Sequence, residues 1–84
     1  MNDIKETIRS FILTTQLPGE SPANLRDDTP LQTSGILDSL GTMALITFLE
    51  QKFTVELDVY DTTVERFDSI QDIASTITRK LGKV

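Results

Sequence analysis

Ser39 is the residue best placed to do chemistry. It stands directly behind Asp38 in the run Gly35-Ile36-Leu37-Asp38-Ser39-Leu40, where an amphipathic helix pattern begins. The chain has no Cys and no His. That removes thiolate nucleophiles, disulfides, Cys-based metal sites and the usual general base at neutral pH. The Asp and Glu residues are scattered, not arrayed as the ligands of a calcium loop. An autonomous enzyme is therefore not expected. Two roles remain for a serine in this place. Its hydroxyl can cap the helix, or it can be where another group is attached. A phosphate ester there would sit at a helix N-terminus, where free N–H groups and the macrodipole favour an anion. A second Asp-Ser-aliphatic run, Asp68-Ser69-Ile70, also precedes a helix pattern, and capping alone accounts for both. Ser39 differs in following a long loop with Gly35 close before it, which lets a partner approach.

The elements that position this serine read as helices. Ile4, Ile8, Phe11 and Ile12 recur at helical spacing behind Asn2 or Asp3 as a cap, with Lys5, Glu6 and Arg9 on the opposite face. From Gln16 to Leu37 there is no clear period. Pro18-Gly19, Pro22, Pro30 and Asp27-Asp28-Thr29 punctuate the stretch. Its spaced Leu17, Leu25, Leu31, Ile36 and Leu37 indicate packing across the core, with room for one short helical turn. The second main helix is expected from about Ser39 to Phe53, with Leu40, Met43, Ile46, Leu49 (or Leu45) and Phe53 on a broad apolar face. Gly41 is a weak helix residue tolerable in a first turn. Thr54 to Leu57 reads as an extended connection. A short helix is expected over Val59 to Glu65, with Asp58 or Asp61 near its start. The last helix is the clearest. Asp68 or Ser69 caps it, Ile70, Ile73, Ala74, Ile77 and Leu81 share a face, Arg79 and Lys80 suit its C-terminal dipole, and Gly82 can end it.

Eighty-four residues with 38% apolar content make one small domain over residues 1–84, too small for a large enclosed cavity. The net charge of −5 disfavours nucleic acid and anionic membrane and suits partners with basic patches. No stretch approaches the length of a membrane span. Met1-Asn2-Asp3-Ile4-Lys5 is unlike the start of a signal peptide. A cytoplasmic monomer is expected.

Together these features resemble the acyl carrier protein family. The resemblance rests on Gly35 to Leu40, on a helix ending Phe48-Leu49-Glu50-Gln51-Lys52-Phe53, on the closing helix, and on the length, acidity and long first loop. It implies an all-α, acyl-carrier-like four-helix bundle of three main helices and one short one. It also implies that Ser39 carries 4′-phosphopantetheine, added from coenzyme A by a phosphopantetheinyl transferase. The thiol of that group would hold an acyl or aminoacyl cargo as a thioester, which accounts for a chain without cysteine. Asp38 would orient the transferase complex. Leu40 and Met43 would offer apolar contact to partners, with burial in the core the competing expectation, favoured for Met43.

Two departures point away from general fatty acid synthesis. Carriers of that pathway usually bear an acidic second helix, whereas here that helix holds only Glu50, with Gly41, Ala44, Thr47 and Gln51 where further acids would stand. The acids gather instead at Glu56, Asp58, Asp61, Glu65, Asp68 and Asp72, so partner docking is expected at the junction of the second and third helices, through Asp61 and Glu65. The run Arg66-Phe67-Asp68-Ser69-Ile70 resembles stand-alone carriers served by AMP-forming ligases, including the D-alanyl carrier type. The expected partners are then the transferase, an adenylating acyl or aminoacyl ligase and acyl-transfer enzymes. A general fatty acyl carrier and a helical adaptor that carries nothing are the competing readings.

Overall fold

The computed structural model describes residues 2–82, and all its regular elements are helical. Helix α1 is Asn2–Thr15, α2 is Ser39–Phe53, α3 is Val64–Phe67 and α4 is Ile70–Lys80. A single 3-10 turn, Pro22–Asn24, interrupts the long first loop. Helix α1 packs on α4 and α2, and α3 packs on α4. No strand occurs among the described residues.

The core forms where the periodic faces meet. Ile8 and Ile12 of α1, Leu45 and Leu49 of α2, Phe67 of α3, and Ile70, Ile73, Ala74 and Ile77 of α4 are all buried. Leu81 packs against them. Phe11 and Phe48 stack with ring centroids 4.4 Å apart, joining α1 to α2. The first loop belongs to this core as fully as the helices do. Leu25, Leu31 and Leu37 are buried, each contributing roughly 2 kcal/mol of hydrophobic stabilisation. Leu17 and Ile36 pack against them from partly buried positions.

Polar ties complete the docking of the loop. Lys5 and Arg9 do not simply face solvent. Lys5 Nζ lies 3.1 Å from Asp27 Oδ2, Arg9 also pairs with Asp27, and Arg9 Nε donates to the Leu25 carbonyl at 2.9 Å. The hydrogen bond from Lys5 and the pairing with Arg9 hold the Asp27 carboxyl below its ordinary range, against a smaller opposing effect of burial.

Three local expectations change. Helix α1 already includes Asn2 and Asp3, so neither is its cap, and the preceding position lies outside the described residues. The third helix is a single turn beginning at Val64, not Val59. The reason is local: Asp61 N donates to Asp58 Oδ1 at 2.9 Å and Asp58 N to Asp61 Oδ2 at 3.2 Å, which gives the backbone a turn instead of a helix. Helix α2 does not bury Leu40 and Met43. These are 81% and 61% exposed, and the core side of the helix is Leu45 and Leu49, with Gly41 buried at its start.

Candidate functional site

The two Asp-Ser runs are used in different registers. At α4, Ser69 is the cap: its Oγ accepts from Asp72 N at 3.0 Å, and the residue is buried. At α2, the cap is Asp38. Its Oδ1 accepts from Gly41 N at 2.7 Å and its carbonyl accepts from Thr42 N at 2.8 Å. Ser39 is therefore the first residue of the helix, exposed, and its hydroxyl makes no hydrogen bond among the described residues. The expectation that Ser39 itself could cap is replaced by this arrangement, because the longer reach to the Gly41 amide is taken by the carboxylate one residue earlier.

The chain reaches Ser39 along a fixed path. Gly35 has φ +88, a left-handed conformation that favours glycine, and it turns the chain so that Leu37 enters the core while Asp38 and Ser39 emerge. Leu37 N donates to the Leu31 carbonyl at 2.9 Å. Further back, Asp68 grips the loop. Its Oδ1 accepts from the amides of Leu31, Gln32 and Thr33 at 3.2, 2.7 and 3.0 Å, and its Oδ2 accepts from the Thr33 hydroxyl at 2.8 Å. Burial pushes this carboxyl upward, but the Thr33 amide and hydroxyl and the Gln32 and Leu31 amides outweigh it and hold it below its ordinary range. Gly41 has a positional reason beyond its tolerance in a first turn. A Cβ there would lie 2.8 Å from Gln16 Oε1 and 3.3 Å from Asp38 Oδ1.

Ser39 opens on a groove of about 610 Å³ between α2 and the segment before α3, lined by Gln32, Leu37, Met43, Ile46, Thr62 and Val64 among others. Leu40, next to Ser39 in the chain, is exposed, and so is Glu65, next to Val64 on α3. Asp61 does not present a charge. It is 3% exposed, and its carboxylate meets Arg79 Nη2 at 2.8 Å and Lys80 Nζ at 2.7 Å. Burial raises the Asp61 carboxyl, but the hydrogen bonds from Lys80 and Asp58 lower it by more, so the group stays ionised. The expected docking role of Asp61 gives way to an internal one. Thr62, Val64, Val59 and Tyr60 carried no periodic signal, because they lie in or beside a non-helical turn. Asp68 carried only that of a possible cap.

The donor set fits an attached phosphodiester. The Ser39 hydroxyl is free, the amides of Ser39 and Leu40 have no acceptor among the described residues, and both lie at the positive end of a 15-residue helix. With this geometry in view, comparison with known proteins is direct. The family model described as the phosphopantetheine attachment site matches residues 13–77. A D-alanyl carrier protein of Streptococcus suis (strain 98HAH33) is 33% identical over 75 residues, covering 89% of this chain and 91% of that protein. The chain belongs to the phosphopantetheine-bearing carrier protein family. It is a carrier and not a catalyst, its prosthetic group is covalent 4′-phosphopantetheine, and the reading as an adaptor that carries nothing is set aside. When bound, that group supplies a thiol at the end of a flexible arm, on which cargo is held as a thioester. Carriers of this family receive it from a phosphopantetheinyl transferase and then serve ligases or acyl-transfer enzymes. No helix among the described residues is long and apolar enough to cross a membrane.

Proposed function

We propose that Ser39 is the attachment point and that this carrier takes an aminoacyl group of the D-alanyl class from an AMP-forming ligase in the cytoplasm. One observation carries the choice of serine: Ser39 alone, among the described serines, begins a helix of more than one turn with an exposed and unengaged hydroxyl. Ser69 and Ser21 accept capping bonds, Ser34 donates to the Pro30 carbonyl, and Ser10 and Ser75 lie inside helices. Asp38 serves Ser39 by capping in its place. Leu40 and Met43, exposed on α2 after Ser39, and Glu65, exposed on α3 next to Val64, give an arriving enzyme apolar and acidic contacts. Tethering of the cargo then replaces a second-order encounter with a high local concentration at each partner.

The cargo class rests on the relative's name and on α2. The only acid of α2, Glu50, turns its Oε2 to accept from Leu57 N at 2.9 Å, so the helix offers no free carboxylate to a basic fatty acid synthase enzyme. Of the acids gathered after α2, Asp61 and Asp68 are committed internally, and Glu56, Asp58 and Glu65 remain exposed. A specialised pathway fits this surface better than general fatty acid synthesis.

The test is intact mass after incubation of the apo-protein with coenzyme A and a broad-specificity transferase. Wild type and Ser69→Ala gain one phosphopantetheine, and Ser39→Ala gains none. A mass gain that survives in Ser39→Ala places the attachment elsewhere. Charging of the holo-protein by a D-alanine-activating ligase, against a fatty acyl ligase as control, tests the cargo class.

A further inference from the structure

The turn between α2 and α3 reverses the usual placement of polar and apolar groups. Val59 and Tyr60 are 85% and 64% exposed, while Asp61, next in the chain, is buried. A buried carboxylate is costly unless it is paired and hydrogen-bonded. Asp61 is both. Its two oxygens take Arg79 and Lys80 of the last turn of α4, and Oδ2 also accepts from Asp58 N at 3.2 Å. Tyr60 is held as well. Its hydroxyl accepts from Arg66 Nη2 at 2.6 Å, and the Arg66 guanidinium carbon lies 4.4 Å from its ring centroid, a cation–π arrangement. Immediately after Asp61, Thr62 and Val64 form the rim of the groove that opens at Ser39. One carboxylate therefore ties the far end of α4 to the rim of the attachment site.

We propose that Asp61, Arg79 and Lys80 form a latch that positions the α2–α3 turn for the enzymes acting at Ser39, with Asp61 a positioning residue and not a contact residue. The proposal rests on the Ser39 reading. An enzyme that reaches Ser39 across the groove meets Thr62 and Val64, with Val59 and Tyr60 set outward beside them. A turn already fixed in that shape spares the complex the cost of ordering it. Releasing the latch weakens docking and leaves the Ser39 hydroxyl as it was, so the loss falls on KM and not on kcat.

The chain supplies its own reporter. Tyr60 is its one tyrosine and there is no tryptophan, so tyrosine emission reads the turn directly. The experiment uses the full-length apo-protein, coenzyme A and a phosphopantetheinyl transferase, at a temperature where circular dichroism shows every variant folded. Asp61→Asn is expected to raise the KM for the apo-protein about fivefold to tenfold with kcat within about twofold. It should also lower Tyr60 anisotropy and increase quenching by acrylamide. Arg79→Lys keeps the charge and should restore most of both readouts relative to Arg79→Ala. Should Asp61→Asn fail to fold, Arg79→Ala and Lys80→Ala, each removing one of two cations, carry the test with smaller shifts of about twofold to fourfold in KM. An unchanged KM in a folded Asp61→Asn protein overturns the latch, and so does a raised KM with Tyr60 emission unaltered. Modification that persists in Ser39→Ala instead overturns the reading of the attachment site, a separate result from either.

Discussion

If Ser39 is the attachment point, as proposed, Asp38 and Ser39 divide between them two jobs that a single serine could not hold at once. A capping hydroxyl points back at the helix and accepts an amide hydrogen, which fixes its rotamer and turns it away from solvent. Ser69 is in that state, and Ser39 is released from it because Asp38 takes the Gly41 amide. The division predicts opposite costs for neighbouring substitutions. Asp38→Ala removes the cap and should cost about 1 kcal/mol, a fall in Tm of roughly 4–8 °C in a domain of this size. Ser39→Ala, which on the proposed attachment abolishes modification, should stay within about 0.5 kcal/mol of wild type. Ser69→Ala should behave like Asp38→Ala in stability and like wild type in modification. Thermal unfolding of the four apo-proteins checks this. Equal losses for Asp38→Ala and Ser39→Ala would mean that the Ser39 hydroxyl supports the helix after all.

Helix boundaries show which signals a sequence carries and which it does not. The bounds of α2 follow from Asp38-Ser39 and from the break after Phe53, and α4 follows from Ile70, Ile73, Ala74 and Ile77 on one face. The orientation of α2 was not readable in the same way. Leu40, Met43, Leu45, Ile46, Phe48, Leu49 and Phe53 wrap almost the whole helix, so periodicity finds several faces and only packing against α1 and the loop chooses among them. The core therefore took Leu45 and Leu49 and left Leu40 and Met43 beside Ser39. The burial of Asp61 is hidden from the sequence for a related reason. Acidity suggests exposure, and its cations stand 18 and 19 residues away in α4, a pairing that no local pattern contains. The position of Ser39 at an accessible helix start was legible, since that needed only the helix pattern and the loop before it. The C-terminus of α2 holds a feature with its own consequence. Thr54 closes the helix at φ 55, ψ 52, a left-handed conformation that disfavours a β-branched residue by about 1–2 kcal/mol. Its amide still donates to the Glu50 carbonyl, so the turn is kept at that cost. Thr54→Gly should raise stability by about 1 kcal/mol, offset in part by the greater freedom of glycine in the unfolded chain. Urea unfolding measures it, and a loss of stability would show that the Thr54 side chain contributes more than its backbone strain takes away.

Across the whole molecule, three carboxylates join segments that are distant in sequence. Asp27 ties the first loop to Lys5 and Arg9 of α1, Asp68 ties that loop to the α3–α4 junction, and Asp61 ties the α2–α3 turn to the end of α4. Each is held below its ordinary range, and Lys80 is correspondingly held above its own by the hydrogen bond it donates to Asp61. The sign of the resulting pH dependence is fixed. A carboxylate with a depressed folded value stabilises the protein fully above its unfolded value, about 3.9 for aspartate, and loses that contribution as pH falls through the folded value, because the unfolded chain takes up the proton first. Lys80 acts only at the alkaline end, where its contribution disappears as pH rises through its raised value. The chain has no histidine, so no side chain of ordinary pKa titrates between about pH 5 and 8. Stability from urea unfolding should therefore be nearly flat from pH 8 to pH 5 and fall steeply below pH 4. As the 13 acids lose their charge, the 8 basic residues are left to repel one another, which steepens the same fall. Asp27→Asn, Asp61→Asn and Asp68→Asn should each lower the plateau and flatten the acid limb, since each removes one of the groups whose protonation drives it. An acid limb that begins above pH 5, or that is unchanged in all three variants, would assign the acid sensitivity to the remaining acids and not to these ties.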